Sequence, residues 1–274
     1  MESVTRTIYG AHLQTCKMLS RAFTVLPNST LNQKFNVFQD ELPMINEYPT
    51  INYIAIGNKG ASYELTSDGF VLTTPIPHLA RDASLYNFIP FIVRAQNNDL
   101  PSDQRQNYRL RVPITVGGVN YFAYYLKVLP ISNVVPSVEL RNVTDGQISA
   151  TNFIPDVSDL NPKAPNLSNV NLNNPNGDYL VSSAKVTFYL DKNDINEIID
   201  ACTILYNDPR YALINEIAIV SGIDRNLTYN STLTYTEVVC AQITAFISQY
   251  HALNQNTSEV TIDLDIGSVE PLLV

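Results

Sequence analysis

The segment YRLRVPITV-GG-VNYFAYYLKVL, Tyr108 to Leu129, carries the strongest local signal in the chain. Two runs of β-branched and aromatic residues flank Gly117-Gly118, and such runs favour strands. A two-residue turn between antiparallel strands needs positive φ, which glycine adopts without strain. The segment therefore predicts a tight β-hairpin. Because Pro113 has no N–H to donate to a ladder, we expect the first strand to lie at a sheet edge or to contain a bulge.

Similar signals recur on both sides of this hairpin. An Asp-Gly pair between apolar runs is a strong short-range indication of a hairpin, and it occurs twice. The segments are the strand Thr50–Ile56, the hairpin Tyr63–Thr66 to Phe70–Thr73 around Ser67-Asp68-Gly69, and the hairpin Val138–Val143 to Gln147–Phe153 around Thr144-Asp145-Gly146. Together they predict an antiparallel sheet of five or more strands in the N-terminal two-thirds of the chain.

Three helices are predicted in the same region. Apolar residues at spacings of three and four predict a helix over Tyr9–Val25. A brief helix is expected at Ala83–Ile89. Another is expected to be capped by Asp99, with Pro101 in its first turn, because aspartate is a good N-cap and proline suits the first helical positions.

Residues 179–274 predict a compact α/β half. The β-rich runs predict the strands Ala184–Leu190, Leu213–Val220 and Val260–Ile266. Two amphipathic helices are expected between these strands. The predicted fold class is therefore α+β, with an antiparallel, sheet-rich N-terminal two-thirds built of hairpins and a C-terminal α/β half.

The two C-terminal helices are predicted from capping residues and apolar spacing. The first follows Asp191, which offers a cap, and extends to Leu205 with an apolar stripe. The second follows a capping box formed by Thr234 and Glu237. Its apolar positions are Val239, Ile243, Phe246, Ile247 and Tyr250.

Composition divides the chain into four segments. One of them is rich in proline and asparagine and shows no apolar period, so it is either a mobile linker or an arm ordered on a neighbouring subunit. Its prolines Pro155, Pro162, Pro165 and Pro175 are candidate interface residues. The segments are an N-terminal helix and arm (1–49), a β-rich domain (50–153), the linker or arm (154–178), and an α/β domain packing on the β-rich part (179–274).

The charge content limits the classes of partner. Charged residues make up only 16% of the chain and apolar residues 45%, so the surface takes its polarity from Asn, Ser, Thr and Tyr. Uncharged polar groups are less costly to desolvate than ions, which suits a surface that other chains cover. The formal net charge of −9 argues against a primary role in binding nucleic acid or anionic membranes.

No catalytic or metal-binding motif is found in the sequence. The three histidines, His12, His78 and His251, have no metal-ligand spacing, and no phosphate-binding loop or nucleophile elbow is present. We therefore predict no cofactor, no metal and no enzymatic activity. An enzyme remains a rival interpretation, and it would require a cleft that gathers His78, Arg81 and Asp82.

The aromatic run of the central hairpin raises a question about its exposure. Alternation along the strand puts Tyr121 and Tyr125 on one face and Phe122 and Tyr124 on the other. If the second face is core, Tyr121 and Tyr125 point outward as candidate interface residues, since exposed tyrosines suit interfaces. The alternative is a sheet covered on both faces within the domain. Both interpretations stay open.

Three segments carry a family resemblance: PTINYIAIGNKG (Pro49–Gly60), Asp99–Lys127 and Tyr206–Asp224. The Ala-Ile-Gly loop, the Tyr-x-Leu-Arg strand and the Glu-Ile-x-x-x-Ser-Gly-x-Asp segment resemble those of an uncharacterised family of virion structural proteins from tailed bacteriophages. Lys59 departs from that pattern, in which glycine is expected.

The resemblance extends over nearly the full length and implies a non-enzymatic subunit of the neck or of the tail and baseplate. Such a subunit would form a symmetric homo-oligomeric ring with itself and contact other virion proteins. It would be made in the host cytoplasm and located in the virion. The alternative function is a carbohydrate- or receptor-binding module, for which a shallow aromatic pocket is expected.

Overall fold

The computed structural model describes most of the chain, in the ranges 3–144, 147–162, 178–229, 233–254 and 256–271. Within these ranges the fold is sheet-rich, with 49% strand, 17% helix and antiparallel sheets. The prediction of a sheet-rich α+β fold is confirmed at this level.

The strands and helices have the following bounds. The strands are β1 (Ser3–Arg6), β2 (Thr50–Gly57), β3 (Ala61–Leu65), β4 (Val71–Pro75), β5 (Phe88–Ile89), β6 (Ile92–Ala95), β7 (Tyr108–Val116), β8 (Val119–Val128), β9 (Ser137–Thr144), β10 (Gln147–Asn152), β11 (Asp178–Leu190), β12 (Leu213–Tyr229), β13 (Leu233–Ala252) and β14 (Val260–Pro271). The helices are α1 (Ile8–Met18), α2 (Leu31–Phe35), α3 (Ser102–Arg105) and α4 (Lys192–Tyr206).

The chain divides into two compact units. The first contains Met1–Leu129 and Leu190–Val260, and the second contains Pro130–Tyr189 and Thr261–Val274. This division differs from the four predicted segments, because each unit is assembled from two separate parts of the sequence. In the first unit, β12 pairs with β2 and β13 pairs with β1. Changes in composition along the chain carry no information about which distant strands pair.

One antiparallel sheet organises the first unit, in the order β1-β13-β12-β2-β8-β6, with β5 paired to β2 and β7 to β8. The predicted glycine hairpin is confirmed. Gly117 and Gly118 have φ of 57° and 81°, the signs that a primed two-residue turn needs. Among the described residues β7 pairs only with β8, so Pro113 lies in an edge strand, as one of the two expectations required.

The second C-terminal helix was predicted wrongly, because Leu233–Ala252 is a strand of 20 residues paired with β12. The run Val238–Ile247 is almost continuously apolar and buried, which is typical of a strand covered on both faces. The β12–β13 register shifts at three points, and Cys240 has φ of 53°. Each shift changes the phase of the side-chain alternation, so the apolar spacing imitates a helix.

The other helices agree with the sequence only in part. Helix α4 is confirmed, with Asp191 and Asp194 forming its capping box. Helix α1 ends at Met18 rather than Val25, because Ser20 takes φ of 50° and closes the last turn with a Schellman pattern of hydrogen bonds.

Two short predicted helices also need correction. No helix forms at Ala83–Ile89, where the last two residues are strand β5 instead. Helix α3 exists, but Asp99 does not cap it. The Asp99 carboxylate accepts hydrogen bonds from the Tyr124 hydroxyl at 2.6 Å and from Arg111 at 3.0 Å.

The second unit contains a four-stranded sheet in the order β10-β9-β11-β14. The predicted pairing of β9 with β10 is confirmed, and Asp145-Gly146 of its turn lie outside the described residues. Arg141 of β9 binds the carboxylates of Glu139 and Asp265 at 2.9 Å each. The predicted strand Val260–Ile266 lies within β14.

The proline-rich segment 154–178 is described only at its two ends. Pro155 and Pro162 are exposed, and between them Val157–Leu160 forms a short 3-10 turn. Asp156 and Asp159 cap this turn through reciprocal hydrogen bonds. Pro165 and Pro175 lie outside the described residues, so the choice between linker and arm stays a prediction.

Candidate interaction surface

An apolar β-hairpin, Ala61–Pro75, is the most exposed apolar element of the first unit. Its strands β3 and β4 pair with each other from Ala61↔Pro75 to Leu65↔Val71 and with no other strand among the described residues. Five large apolar side chains on it are between 53% and 72% exposed: Tyr63, Leu65, Phe70, Val71 and Leu72. A two-stranded hairpin is at best marginally stable alone, and contiguous exposed apolar area of this kind indicates an interaction site.

The turn of the hairpin forms for local reasons. Gly69 has φ of 81°, which its missing Cβ allows, and the space around it is open. Thr66 closes the turn, since its N–H donates to the Phe70 carbonyl at 2.8 Å and its hydroxyl accepts from the Phe70 N–H at 3.1 Å. The predicted hairpin is confirmed, although the sequence did not show that it would be exposed.

The two faces of the hairpin differ in charge. The register puts Tyr63, Leu65 and Val71 on one face, while Leu72 lies opposite Glu64 on the other. No Lys or Arg occurs from Gly60 to Ala80, and Pro75 stands only at the end of β4. Natural edge strands commonly use lysine or proline to prevent pairing with other chains. This hairpin therefore lacks the residues that usually prevent an open edge from pairing with another chain.

The base of the hairpin is held firmly to the sheet. The Ile76 N–H donates to the Gly60 carbonyl at 2.7 Å, and the Ser248 hydroxyl of β13 donates to the Ile76 carbonyl at 3.1 Å. Gly60 has φ of 81°, and a Cβ there would lie 3.1 Å from the Tyr86 ring. The exposed hairpin thus projects from a rigid attachment point.

A buried ionic cluster lies directly behind this attachment point. His78 Nε2 lies 2.8 Å from Glu216 Oε2, and His78 Nδ1 lies 3.4 Å from Asp82 Oδ2. The Glu216 carboxylate also accepts from the backbone N–H groups of Tyr86 at 2.9 Å and Asn87 at 3.0 Å. Glu216 is completely buried, and buried carboxylates are tolerated only with partners of this kind.

The His78 cluster leaves no space for a substrate next to the imidazole. The ring is stacked between Tyr86 at 4.3 Å and Phe246 at 3.9 Å, so both faces are covered. Both ring nitrogens face carboxylates, and the residue is only 4% exposed. Arg81 is exposed, and its carbonyl accepts from the Tyr9 hydroxyl. The structure brings His78 and Asp82 together as an anchor for the hairpin base.

A cluster of ion pairs joins β7 to β12 and β13. Asp224 accepts from Arg109 Nε at 2.7 Å and Nη2 at 2.9 Å, and from the Tyr53 hydroxyl at 2.7 Å. Glu237 lies 3.5 Å from Arg111 Nε. Burial raises the pKa of Glu237 to about 7, although Arg111 and Arg109 oppose this rise. Arg109, Arg111 and Glu237 are buried, whereas the Asp224 side chain is exposed. These ion pairs hold the strands together.

A small cavity of about 200 Å³ lies beside the strand bulge at Cys240. Its lining contains no aromatic side chain: Val25, Leu26, Pro27, Thr30, Asn32, Gln33, Gln39, Glu41, Leu42 and Cys240. The Cys240 thiol donates to the Glu41 carbonyl at 3.1 Å, and burial raises its pKa to about 12. Burial therefore disfavours the thiolate, which is the nucleophilic form of cysteine. The lining also has no ring on which a sugar would stack.

The two tyrosines proposed from the sequence lie against the core. Tyr125 is 8% exposed and stacks on Phe35 with 4.4 Å between ring centroids. Tyr124, on the opposite face, is also buried. Of the two interpretations left open by the sequence, the structure agrees at these residues with a sheet covered on both faces, and Tyr125 does not point outward. Tyr121 is half-buried against the same core, and its interface role stays a prediction.

Membrane-spanning helices and metal sites were sought among the described residues. No helix among them is long and apolar enough to cross a membrane, and they contain no group of three or more His, Cys, Asp or Glu that could hold a metal ion. They define a sheet-rich α+β protein with polar clusters between its strands and an exposed apolar hairpin.

Comparison with known proteins adds the family. The model of a family of unknown function, DUF7208, matches residues 1–274, and the chain belongs to this family. No curated protein and no solved structure matches the chain.

Proposed function

We propose that this protein is a non-enzymatic structural subunit that associates with copies of itself in a ring and forms part of a tailed-phage virion, in the neck or in the tail and baseplate. The exposed apolar hairpin Ala61–Pro75 carries this proposal. A symmetric ring requires each subunit to offer two different complementary surfaces. An apolar hairpin with two open edges is suited to be one of them.

The energetics of the hairpin favour a covered state. Fully burying a Leu, Val or Phe side chain contributes about 1.5–3 kcal/mol. Leu65 and Val71 lie on one face of the hairpin and Leu72 lies on the other, so either face offers apolar area to an interface. Because Ser248 and the His78 cluster fix the hairpin base, less conformational entropy is lost when the hairpin docks. The exposed apolar side chains of the hairpin are therefore better explained as an interface that a second copy covers.

Two further observations support a non-enzymatic role. The only histidine close to two carboxylates in the described residues, His78, has both faces and both nitrogens occupied by protein. The thiol in the cavity, Cys240, is held protonated by burial. The assignment to a phage virion is supported by the resemblance of Pro49–Gly60, Asp99–Lys127 and Tyr206–Asp224 to virion structural proteins.

Sedimentation velocity of the full chain over a wide concentration range tests the assembly. We expect a discrete oligomer whose population rises with concentration. The double variant Phe70→Ser/Leu72→Ser should shift the midpoint of association at least tenfold higher. Val135→Ser, at a still more exposed apolar position outside the hairpin, should leave the midpoint within twofold. A wild-type chain that stays monomeric at every concentration would contradict the proposal.

A further inference from the structure

The N-terminal part of the chain has a charge opposite to that of the whole protein. Residues 3–39 contain the cations Arg6, Lys17, Arg21 and Lys34 and no carboxylate side chain, whereas the complete chain has a net charge of −9. Lys17 and Arg21 lie close together at the end of α1, and neighbouring cations give a surface a local positive field. It marks the N-terminal region as a place where an acidic surface would be attracted.

Two of these cations surround an exposed apolar patch at the end of α1. Met18 is 76% and Leu19 is 64% exposed, and both lie between the exposed Lys17 and Arg21. We refer to Lys17–Arg21 as the basic patch. An exposed methionine and leucine next to each other, flanked by charges, resemble the apolar centre and charged rim of an interface.

The basic patch is held in a defined conformation. The N–H groups of Ser20 and Arg21 donate to the carbonyls of Lys17 at 3.2 Å and Cys16 at 3.0 Å. The Tyr48 hydroxyl donates to the Arg21 carbonyl at 2.8 Å. Leu13, Cys16 and Phe23 form a buried cluster beneath it. The patch is therefore a preformed surface.

We propose that the hairpin Ala61–Pro75 of one copy docks on the basic patch of a second copy. This inference rests on the proposed assembly and names its contact surfaces. The hairpin offers Phe70 and Leu72 with the acidic Glu64 on one face, and Asp68 at its turn. The basic patch offers apolar side chains with two cations. The two surfaces are complementary in both hydrophobicity and charge.

A second copy is the occupant that the geometry favours. Both surfaces are exposed in the single chain, so neither is covered by the other within one copy. They are different surfaces of the same unit, so their contact is head-to-tail and leaves a free hairpin and a free patch at the ends. Repetition of a head-to-tail contact produces a closed ring or a filament.

Another exposed apolar segment is a poorer partner for the hairpin. Leu42, Met44 and Ile45 are also exposed. However, residues 40–47 contain three carboxylates, and Arg225 pairs with two of them, Glu41 and Glu47. The segment keeps a net negative charge, which opposes the approach of Glu64 and Asp68. Like charges brought together at an interface oppose association. The basic patch is thus the complementary apolar surface of the first unit.

Zero-length carbodiimide cross-linking tests the contact in the unmodified protein. Equal amounts of ¹⁴N- and ¹⁵N-labelled chains are mixed, exchanged and treated with carbodiimide, and peptides are identified by mass spectrometry. We expect amide links between Lys17 and Glu64 or Asp68 that join a light and a heavy peptide. An assembled sample whose links to Lys17 all come from other carboxylates would overturn the docking inference.

Charge reversal gives a second, independent test. Glu64→Lys/Asp68→Lys and Lys17→Glu/Arg21→Glu should each raise the dissociation constant for self-association at least tenfold. An equimolar mixture of the two variants should recover association to within threefold of wild type. All four positions are exposed, and far-UV circular dichroism verifies that each variant is folded. Failure of the mixture to associate better than either variant alone would overturn the contact.

A control variant distinguishes the effect of the proposed contact on association from the effect of a change in net charge. Asp103→Lys/Asp200→Lys changes the net charge by the same amount as the hairpin variant, at exposed positions on α3 and α4. It should leave the dissociation constant within threefold of wild type. If the chain assembles but ignores the hairpin and patch variants, the docking inference fails and the assembly proposal survives. If the wild-type chain does not assemble, the proposed function itself fails.

Discussion

Two β-hairpins with the same local sequence signals have opposite environments in this molecule. In both β3–β4 and β7–β8, β-rich runs flank a turn whose glycine has positive φ. Tyr124 and Tyr125 of β8 are buried, whereas Leu65 and Leu72 of the first hairpin are exposed. β8 also pairs with β2 and β6, while β3 and β4 pair only with each other among the described residues. Turn chemistry determines where a hairpin forms, and neighbouring strands determine whether it becomes core or surface.

Truncation of one apolar side chain in each hairpin is the strongest test of this difference. Tyr125→Ala removes a buried ring that stacks on Phe35, and we expect it to lower the free energy of unfolding by about 3–5 kcal/mol. Leu72→Ala removes a side chain that is already in water, so the expected loss is below about 0.5 kcal/mol. Urea denaturation of the dilute, dissociated chain measures both values. Equal losses would show that the two hairpins do not differ as described.

The pH dependence of stability tests the buried environment of the β7–β8 hairpin. Arg109 and Arg111 of β7 lie in the field of Glu237, whose pKa burial raises from 4.5 to about 7. The folded state therefore binds more protons than the unfolded state between these values, and the contribution of Glu237 to stability is lost as pH rises through about 7. The unfolding free energy of wild type should fall between pH 5 and pH 8. In Glu237→Gln this fall should be smaller than in wild type by about 2 kcal/mol.

The measurement is the difference between wild type and variant in urea midpoints at the two pH values. This difference cancels the titration of all other groups. Asp103→Asn, at an exposed position, is the control and should follow the wild-type profile. A Glu237→Gln profile parallel to wild type would refute the buried-acid assignment.

Alanine at equivalent turn glycines gives the smallest expected effect. Gly118 and Gly69 both have φ of 81°, where an L-residue costs about 1–2 kcal/mol. In Gly118→Ala this cost should lower global stability, because β8 cannot leave the sheet without unfolding it. In Gly69→Ala it should speed amide exchange of β3 and β4 while the urea midpoint moves little, because the hairpin can open locally. Identical global losses would indicate that both hairpins unfold with the sheet.

The parts of the fold that depend on local chemistry were predictable. The glycine hairpin, both Asp-Gly hairpins as paired strands, and the capping box of α4 all follow from residues close in sequence. The end of α1 was missed, because a Schellman turn with Ser20 in the left-handed region has no glycine to signal it. Strand β13 was missed because its register shifts disturb the period of two.

The candidate surface was only half predictable. The sequence indicated the Ala61–Pro75 hairpin but could not show that, within the described part of the chain, its strands pair only with each other. The cluster behind it joins His78 to Glu216, which are 138 positions apart, and no spacing rule anticipates that pair. Arg81, which the rival enzyme interpretation requires beside His78 and Asp82, is exposed. A run of apolar residues without lysine or proline was the available signal for an open edge.

By itself, the sequence determined the positions of the tight turns, the cap of α4 and the sheet-rich class, because φ preferences and short-range hydrogen bonds act over a few residues. Only the tertiary structure decided that Leu233–Ala252 is a strand, that Tyr125 is buried and that the Ala61–Pro75 hairpin stands free. These outcomes depend on which distant strands pair, and the free energy of that choice is shared among residues that no local pattern connects.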